Sequence, residues 1–374
     1  MAFSNAFPPV TKEDWLQQIK KDLKGQELSS LTWHIAPHLS VDPLVAAGDA
    51  AVLSAPLSAS AHWETGEMIH VTDPGSARVQ ALEALQMGAE GLHFYLPSVP
   101  DQVLMDTLLE GIHTDYIGLH FSGPGMETSP GGILTLLEAV AARGGVKPQQ
   151  LRGSLQWSPL EATLAPDWRY ARELIELVHS RYPGFTVISL GSDGISDPVE
   201  SLSELMYQAN ECITRLHEVG LSPAQAASAI QFRVATGVQY FVEIARLRAL
   251  KVLWVNVLSG WGVTPEYPRI LATCAPEAYT DALYTNMIRA TTIAMSAVIG
   301  GATHLVVRPY DEGREAQSEQ SPTFARRIAR NVQHLLKMES GLDQIPDPAA
   351  GSYYIEQLTR QMAEKSWAIF QERV

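Results

Sequence analysis

Few residues in this chain combine type and spacing in a way that chemistry could use. Asp311-Glu312 is a carboxylate pair flanked by Arg308 and Arg314. Two carboxylates can divide into an acid and a base when their environments differ. The adjacent arginines favour a plainer reading, in which Asp311 caps the following helix or pairs with Arg308 or Arg314. Cys274 could be a nucleophile, but a thiol needs an activating neighbour, and no histidine is close to it in sequence. A small buried cysteine is the better reading. His34 and His38 stand four apart, a metal-binding spacing on a helix. Pro37 lies between them and breaks the helix, so no metal is expected there. His70, His93 and His120 fall within strand candidates, where a hydrogen-bonded interior or interface histidine fits better than a general base. Gly300-Gly301 looks like a phosphate loop, but it follows a helix pattern and precedes a strand pattern, which fits a helix C-cap. Gly123-Pro124-Gly125 either shapes a ligand-contacting loop or simply turns the chain; both readings stay open.

The elements that must position these groups follow a regular order from about residue 67. Short apolar runs alternate with helix patterns. Eight strand candidates result: Glu67–Val71, Gly91–Leu96, Tyr116–Ser122, Leu151–Trp157, Thr186–Ser192, Ala229–Ala235, Arg269–Cys274 and His304–Pro309. After the sixth, Val238, Phe241, Ile244, Leu247 and Leu253 recur at helical steps, with Glu243, Arg246 and Arg248 between them. Eight consecutive β-α units, with no dinucleotide fingerprint after the first strand, predict a (β/α)8 TIM barrel. Working residues of such barrels sit at the C-terminal strand ends. Here those ends give a thin polar rim of Thr72-Asp73, Ser122-Gly123, Gln156-Trp157, Ser192-Asp193, Ala235-Thr236, Thr273-Cys274 and Arg308 to Glu312, with no histidine.

The first 65 residues read differently. Thr11 caps a helix with Asp14 near the capping-box position, and that helix ends near Lys24-Gly25. Pro37, Pro43 and Pro56 break the rest into an irregular arm. Trp15, Leu23, Leu31 and Trp33 need burial that the arm alone does not supply. The expected organisation is an arm over 1–65, a barrel over 66–340, and a C-terminal turn and helix over 341–374 leading out of the barrel. That helix pattern is still running at Val374, so the natural protein is expected to continue.

Length and 46% hydrophobic content allow a sizeable core. A net charge of -14 argues against nucleic acid and anionic membrane surfaces. Cys212 and Cys274, the only cysteines, lie in no metal-type spacing, which suits a reducing cytoplasm. The N-terminus has no signal pattern, and no apolar run reaches spanning length. A cytoplasmic protein is the expectation.

Several strings in order then carry a family resemblance. Asp347-Pro348-Ala349-Ala350-Gly351-Ser352-Tyr353-Tyr354-Ile355-Glu356-Gln357-Leu358-Thr359 is very similar to the string that closes the barrel domain of the methylmalonyl-CoA mutase family. Trp15, Leu23-Lys24-Gly25 and Leu31-Thr32-Trp33 resemble the opening of its small-subunit type. Phe241 to Ala249 with Leu253-Trp254, Tyr284 to Thr292, and Ala325 to Gln333 resemble its sixth, seventh and eighth helices. The resemblance implies a (β/α)8 barrel. It also implies a complex that interconverts methylmalonyl-CoA and succinyl-CoA with adenosylcobalamin, CoA threading the barrel and a separate domain holding the corrin.

Departures from the catalytic type fall at working positions. Where catalytic subunits carry Ser-Gly-Tyr-His, this chain has Leu190-Gly191-Ser192-Asp193. An ionised Asp193 cannot donate to a thioester carbonyl. Ala272-Thr273-Cys274-Ala275-Pro276 stands for Gln-Thr-x-Gly-Trp, and Val306-Val307-Arg308 for His-Thr-Asn. No cobalt-ligating D-x-H-x-x-G string occurs. Ser192, Asp193, Ala272 and Arg308 are therefore expected to be degenerate, with no catalytic, cofactor or metal site on this chain. The resemblance implies a non-catalytic small subunit paired with a catalytic large subunit that carries the adenosylcobalamin. Trp15, Leu31 and Trp33 are the interface candidates. Without its partner the chain would self-associate through that face. The competing readings are a stand-alone barrel with a repurposed site using Asp193, Cys274, Arg308 and Asp311, and a regulatory chain that still binds an acyl-CoA.

Overall fold

A computed structural model describes residues 10–49, 57, 60–126, 129–161 and 167–374. Its centre is a closed parallel barrel of eight strands. These are β3 (Glu64–His70), β4 (Gly91–Tyr95), β5 (Gly118–Ser122), β6 (Arg152–Trp157), β7 (Gly184–Gly191), β8 (Ile230–Thr236), β9 (Arg269–Cys274) and β10 (His304–Val306). The order is sequential, and β10 closes the ring by pairing with β3, His304 beside Glu64. All eight expected strands are present, Arg269–Cys274 with the expected bounds and the other seven with shifted ends. The largest differences are β3, which starts at Glu64, inside the stretch assigned to the arm, and β10, which stops at Val306, so that Arg308 lies in a loop.

Each strand alternates between two environments. On β4 and β5, Leu92, Phe94, Leu119 and Phe121 are fully buried in the apolar layer under the helices. The residues between them, His93 and His120, are register partners and face the barrel axis, where their rings stack at 4.1 Å. On β3, Glu67 points outward to Arg330, while Gly66 approaches His93 from the axis side.

The coat helices start where the chain supplies caps. α2 (Pro74–Gln86) is capped by Asp73, α6 (Pro198–Glu218) by Asp197, and α10 (Pro322–His334) by Ser321. Each has Pro at its first position, where no N–H is needed. α8 (Tyr240–Gly260) departs from the amphipathic expectation. Glu243, Arg246 and Arg248 are as buried as Ile244 and Leu247, whereas Val238 and Phe241 are exposed. α9 (Leu283–Ile299) ends at Gly300, with Gly301 at φ 85, as the C-cap reading requires.

α11 (Tyr353–Gln371) lies back on α6 and α8, and Ser366 donates to the Val199 carbonyl. The C-terminal segment is therefore part of the coat. Its packing explains the string at 347–359. Asp347 sits at φ 50 and accepts from Arg248 Nη1 at 2.7 Å, while Glu356 accepts from Arg248 Nη2 at 2.8 Å and from the Gly351 N–H. The arginine of α8 and the two acids of the closing string are mates in one buried cluster.

The arm is more ordered than its prolines suggest. α1 (Lys12–Asp22) has the Thr11–Asp14 capping box, and β1 (Trp33–Ala36) pairs antiparallel with β2 (Leu39–Val41). Leu39 and Val41 are buried against α11. α1 buries no residue; Trp15 is half-buried, and Leu31 (38%) and Trp33 (41%) are exposed. Pro56 lies outside the described residues. Among the described residues, no helix is long and apolar enough to cross a membrane.

Candidate functional site

The C-terminal mouth of the barrel opens into a cavity of about 960 Å³. Ser122, Gln156, Ser192, Asp193, Arg233, Thr273 and Arg308 contribute to its wall, and Ile35 of the β1–β2 hairpin leans over it. The mouth holds three arginines, each already beside a carboxylate. Arg233 Nη2 donates to Asp193 at 2.6 Å and stands 3.8 Å from Glu161. Arg246 pairs with Glu243 at 2.8 Å, and Arg308 with Glu312 at 3.0 Å. Burial pushes the Glu161 and Glu312 carboxyls up, against the pull of their arginines. An anionic ligand would have to displace these carboxylates.

The sequence-derived positions divide. Ser192 and Asp193 follow β7 and reach the cavity; the Ser192 hydroxyl lies 2.6 Å from that of Ser201. Arg308 also lines the wall. Ala272 does not; its side chain is buried in the layer under the helices, and Thr273 faces the mouth in its place. Cys274 is buried, and burial pushes its thiol up, away from thiolate chemistry. Asp311 is buried and caps no helix, since α10 is capped by Ser321. Arg308 takes Glu312 instead of Asp311, and Arg314 takes Asp281. His70 corrects the expected absence of histidine from the strand ends. It is the last residue of β3, is exposed, packs against Tyr95, and lines a second cavity of about 620 Å³ beside α10. His34 and His38 are exposed on the hairpin and its turn.

Below the mouth the axis is filled by polar side chains. Glu64 reaches over β4 to His120, with 2.7 Å between Oε1 and Nε2. It can do so because Gly91 and Gly118 lie beneath it; a Cβ on either would overlap its carboxylate. His120 Nδ1 is 2.8 Å from Ser154 Oγ, and the His304 ring meets His120 edge-on. His93 stacks on the other side with Gln156 at 3.5 Å; its Nε2 has no hydrogen-bond partner among the described residues. Burial drives the His93 ring well below its usual range and brings His304 to about 4, the neighbouring His120 adding to both. Burial works to raise Glu64, but the His120 hydrogen bond and charge leave it lowered. Sequence reasoning placed His93 and His120 inside strands but missed Glu64 and His304 as their partners. The signal available was the first-position pairing of those residues on the two strands that close the ring.

Comparison with known proteins gives a consistent result. Residues 80–373 match the family model described as methylmalonyl-CoA mutase. The small subunit of this mutase from Porphyromonas gingivalis is 30% identical over 97% of the chain, and that from Streptomyces virginiae 28% identical over 100%. The chain spans 63% and 65% of the lengths of those two proteins. The large subunit from Propionibacterium freudenreichii subsp. shermanii is 29% identical over 64% of the chain, which covers 35% of it.

Proposed function

The chain belongs to the methylmalonyl-CoA mutase family, and on that premise we propose that it is a small subunit that does no chemistry itself. It pairs in the cytoplasm with a catalytic large subunit, and the pair interconverts methylmalonyl-CoA and succinyl-CoA. Its contribution is assembly and stability of the partner. The observation that carries this reading is the filled axis. A CoA threaded through a barrel of this type would need the space that Glu64, His93, His120 and His304 occupy. The mouth supports it. The position of the catalytic histidine holds Asp193, an anion engaged by Arg233, and a carboxylate there cannot stabilise a developing oxyanion.

Adenosylcobalamin belongs to the partner in this reading. The residues of the larger cavity do not fit it, for none of those described is a histidine that could ligate cobalt. The exposed Leu31 and Trp33, with the half-buried Trp15 on an α1 that has no fully buried residue, provide the apolar contact for the large subunit. The test is co-purification with a catalytic large subunit from the same source. The reading expects a stable one-to-one complex that Trp33→Ala combined with Leu31→Ala weakens.

The open mouth cavity favours one second reading, a regulatory barrel that takes an acyl-CoA there. Saturable acyl-CoA binding to the isolated chain, lost in Arg233→Ala, would favour it over the first.

A further inference from the structure

We propose that the lower barrel axis is a binding site for one divalent transition-metal ion of zinc's class, held by Glu64, His120 and His304. One ligand atom from each residue lies within 4.8 Å of the other two. The residues come from three strands, β3, β5 and β10, so one ion would tie the seam where the ring closes to the strand two places on. Two imidazoles and one carboxylate suit zinc and its neighbours, and a three-ligand set leaves a fourth position for water. Glu64 and His304 are only partly covered, which gives an ion a path from the N-terminal mouth.

The outer hydrogen bonds already point the rings the right way. Metal-bound histidines donate their second ring N–H to an oxygen acceptor, most often a carboxylate, a backbone carbonyl or water; here the acceptors would be two hydroxyls. His304 Nδ1 is 2.9 Å from Thr303 Oγ1. That hydroxyl accepts from the Ile270 N–H at 2.8 Å and donates to the Ile270 carbonyl at 3.1 Å. With its proton so placed, Nδ1 of His304 is the donor, and Nε2 is left with a lone pair. For His120, the Ser154 hydroxyl serves either tautomer. It donates to Nδ1 while Nε2–H bonds Glu64, and it accepts from Nδ1–H once Nε2 turns to an ion.

The space and charge are also arranged. The glycines at 91 and 118 hold open the room that the Glu64 carboxylate fills. Two arginines border the site: Arg152 donates to the Tyr116 carbonyl at 2.6 Å and Arg269 to the Thr186 hydroxyl, while the Arg152 charge still acts on Glu64 and the Arg269 charge on His304. Ligands about 2.0–2.2 Å from zinc stand roughly 3.4 Å apart in a tetrahedron. Glu64 and His120 would therefore separate from 2.7 Å, and ligand atoms that lie up to 4.8 Å apart would draw together, to admit the ion. The site lies on the stability face of the barrel, so its role is to lock the ring rather than to act on a substrate.

The experiment is equilibrium titration of the whole chain with Zn²⁺, with Co²⁺ substitution to read the ligand geometry and circular dichroism to check each variant. We expect one ion per chain, a tetrahedral cobalt spectrum and a raised melting temperature. His304→Ala and Glu64→Gln should lose at least about tenfold in affinity, and Ser154→Ala, which keeps all three ligands, roughly tenfold to a hundredfold. His70→Ala, on the same strand but at the opposite mouth, should bind as the parent does. Should a ligand variant not fold, the parent titration and Ser154→Ala remain decisive. Failure of the parent to bind stoichiometrically, or binding that His304→Ala and Ser154→Ala leave unchanged, overturns the proposal.

Discussion

Two buried polar clusters of this molecule invite comparison, because they look alike in composition and differ in what they leave over. Outside the barrel, Arg248 is fully buried between Asp347 and Glu356, and Lys251 lies beside it at 2% exposure. Arg248 alone bonds both carboxylates, and Lys251 adds a second cation whose burial Asp347 offsets only in part. On the axis, a single carboxylate, Glu64, faces three imidazoles, and one ring nitrogen of His93 has no partner among the described residues. The first cluster is closed on itself and fixes the C-terminal segment to α8. The second retains hydrogen-bonding and ligating capacity. Buried charge alone thus says little about function; the balance of partners separates a staple from a site.

The comparison breaks most sharply at Arg248. Arg248→Met leaves Asp347 and Glu356 buried without their cation, and should cost about 3–5 kcal/mol in a urea unfolding experiment. An effect below about 1 kcal/mol would show that the cluster is not a staple.

Gly118→Ala tests the axis. The added Cβ meets the Glu64 carboxylate and must push it from His120, which should cost roughly 1–3 kcal/mol. A variant as stable as the parent would mean that Glu64 is not held where the glycines place it.

Lys251 gives the opposite sign. Burial brings its ammonium down to about 8, the Asp347 charge opposing and Arg248 assisting that shift. Between about pH 8 and the ordinary lysine range the unfolded chain holds a proton that the folded chain has lost, so stability should rise with pH across that window. Below it, the full cost of burying the charge is present. Lys251→Met should therefore stabilise the protein at neutral pH by about 1–3 kcal/mol and abolish the rise. Denaturation midpoints at pH 7.5 and pH 10 would read both effects.

The smallest effect belongs to the mouth. Asp193 is 59% exposed at its side chain, so Asp193→Asn should change stability by no more than about 0.5 kcal/mol. A large loss would place the Arg233 pair among the staples instead.

The barrel was legible in the sequence because its outward strand positions are apolar and the helix patterns between them are regular. Its interior was legible only in part. Inward positions such as His93, His120 and Gln156 alternate with apolar ones as solvent-facing residues would, and period-2 alternation cannot tell a polar axis from water. Glu64 was hidden by its place at the edge of an irregular arm. On α8, Glu243, Arg246 and Arg248 suggested an exposed face, and only the third dimension supplies the acids and carbonyl that let them be buried. Ser192, Asp193 and Arg308 line the mouth because strand ends and the loops after them form the rim of any such barrel, whereas Ala272 faces the layer under the helices.

The central claim, that this barrel supports chemistry without performing it, is tested most directly by a mutase assay with adenosylcobalamin and methylmalonyl-CoA. The chain, a catalytic large subunit and their mixture would each be measured. No turnover is expected from the chain alone, and turnover in the mixture is expected to come from the large subunit's own active site. Succinyl-CoA formed by this chain alone would contradict it and return Ser192, Asp193 and Arg308 to consideration as working residues.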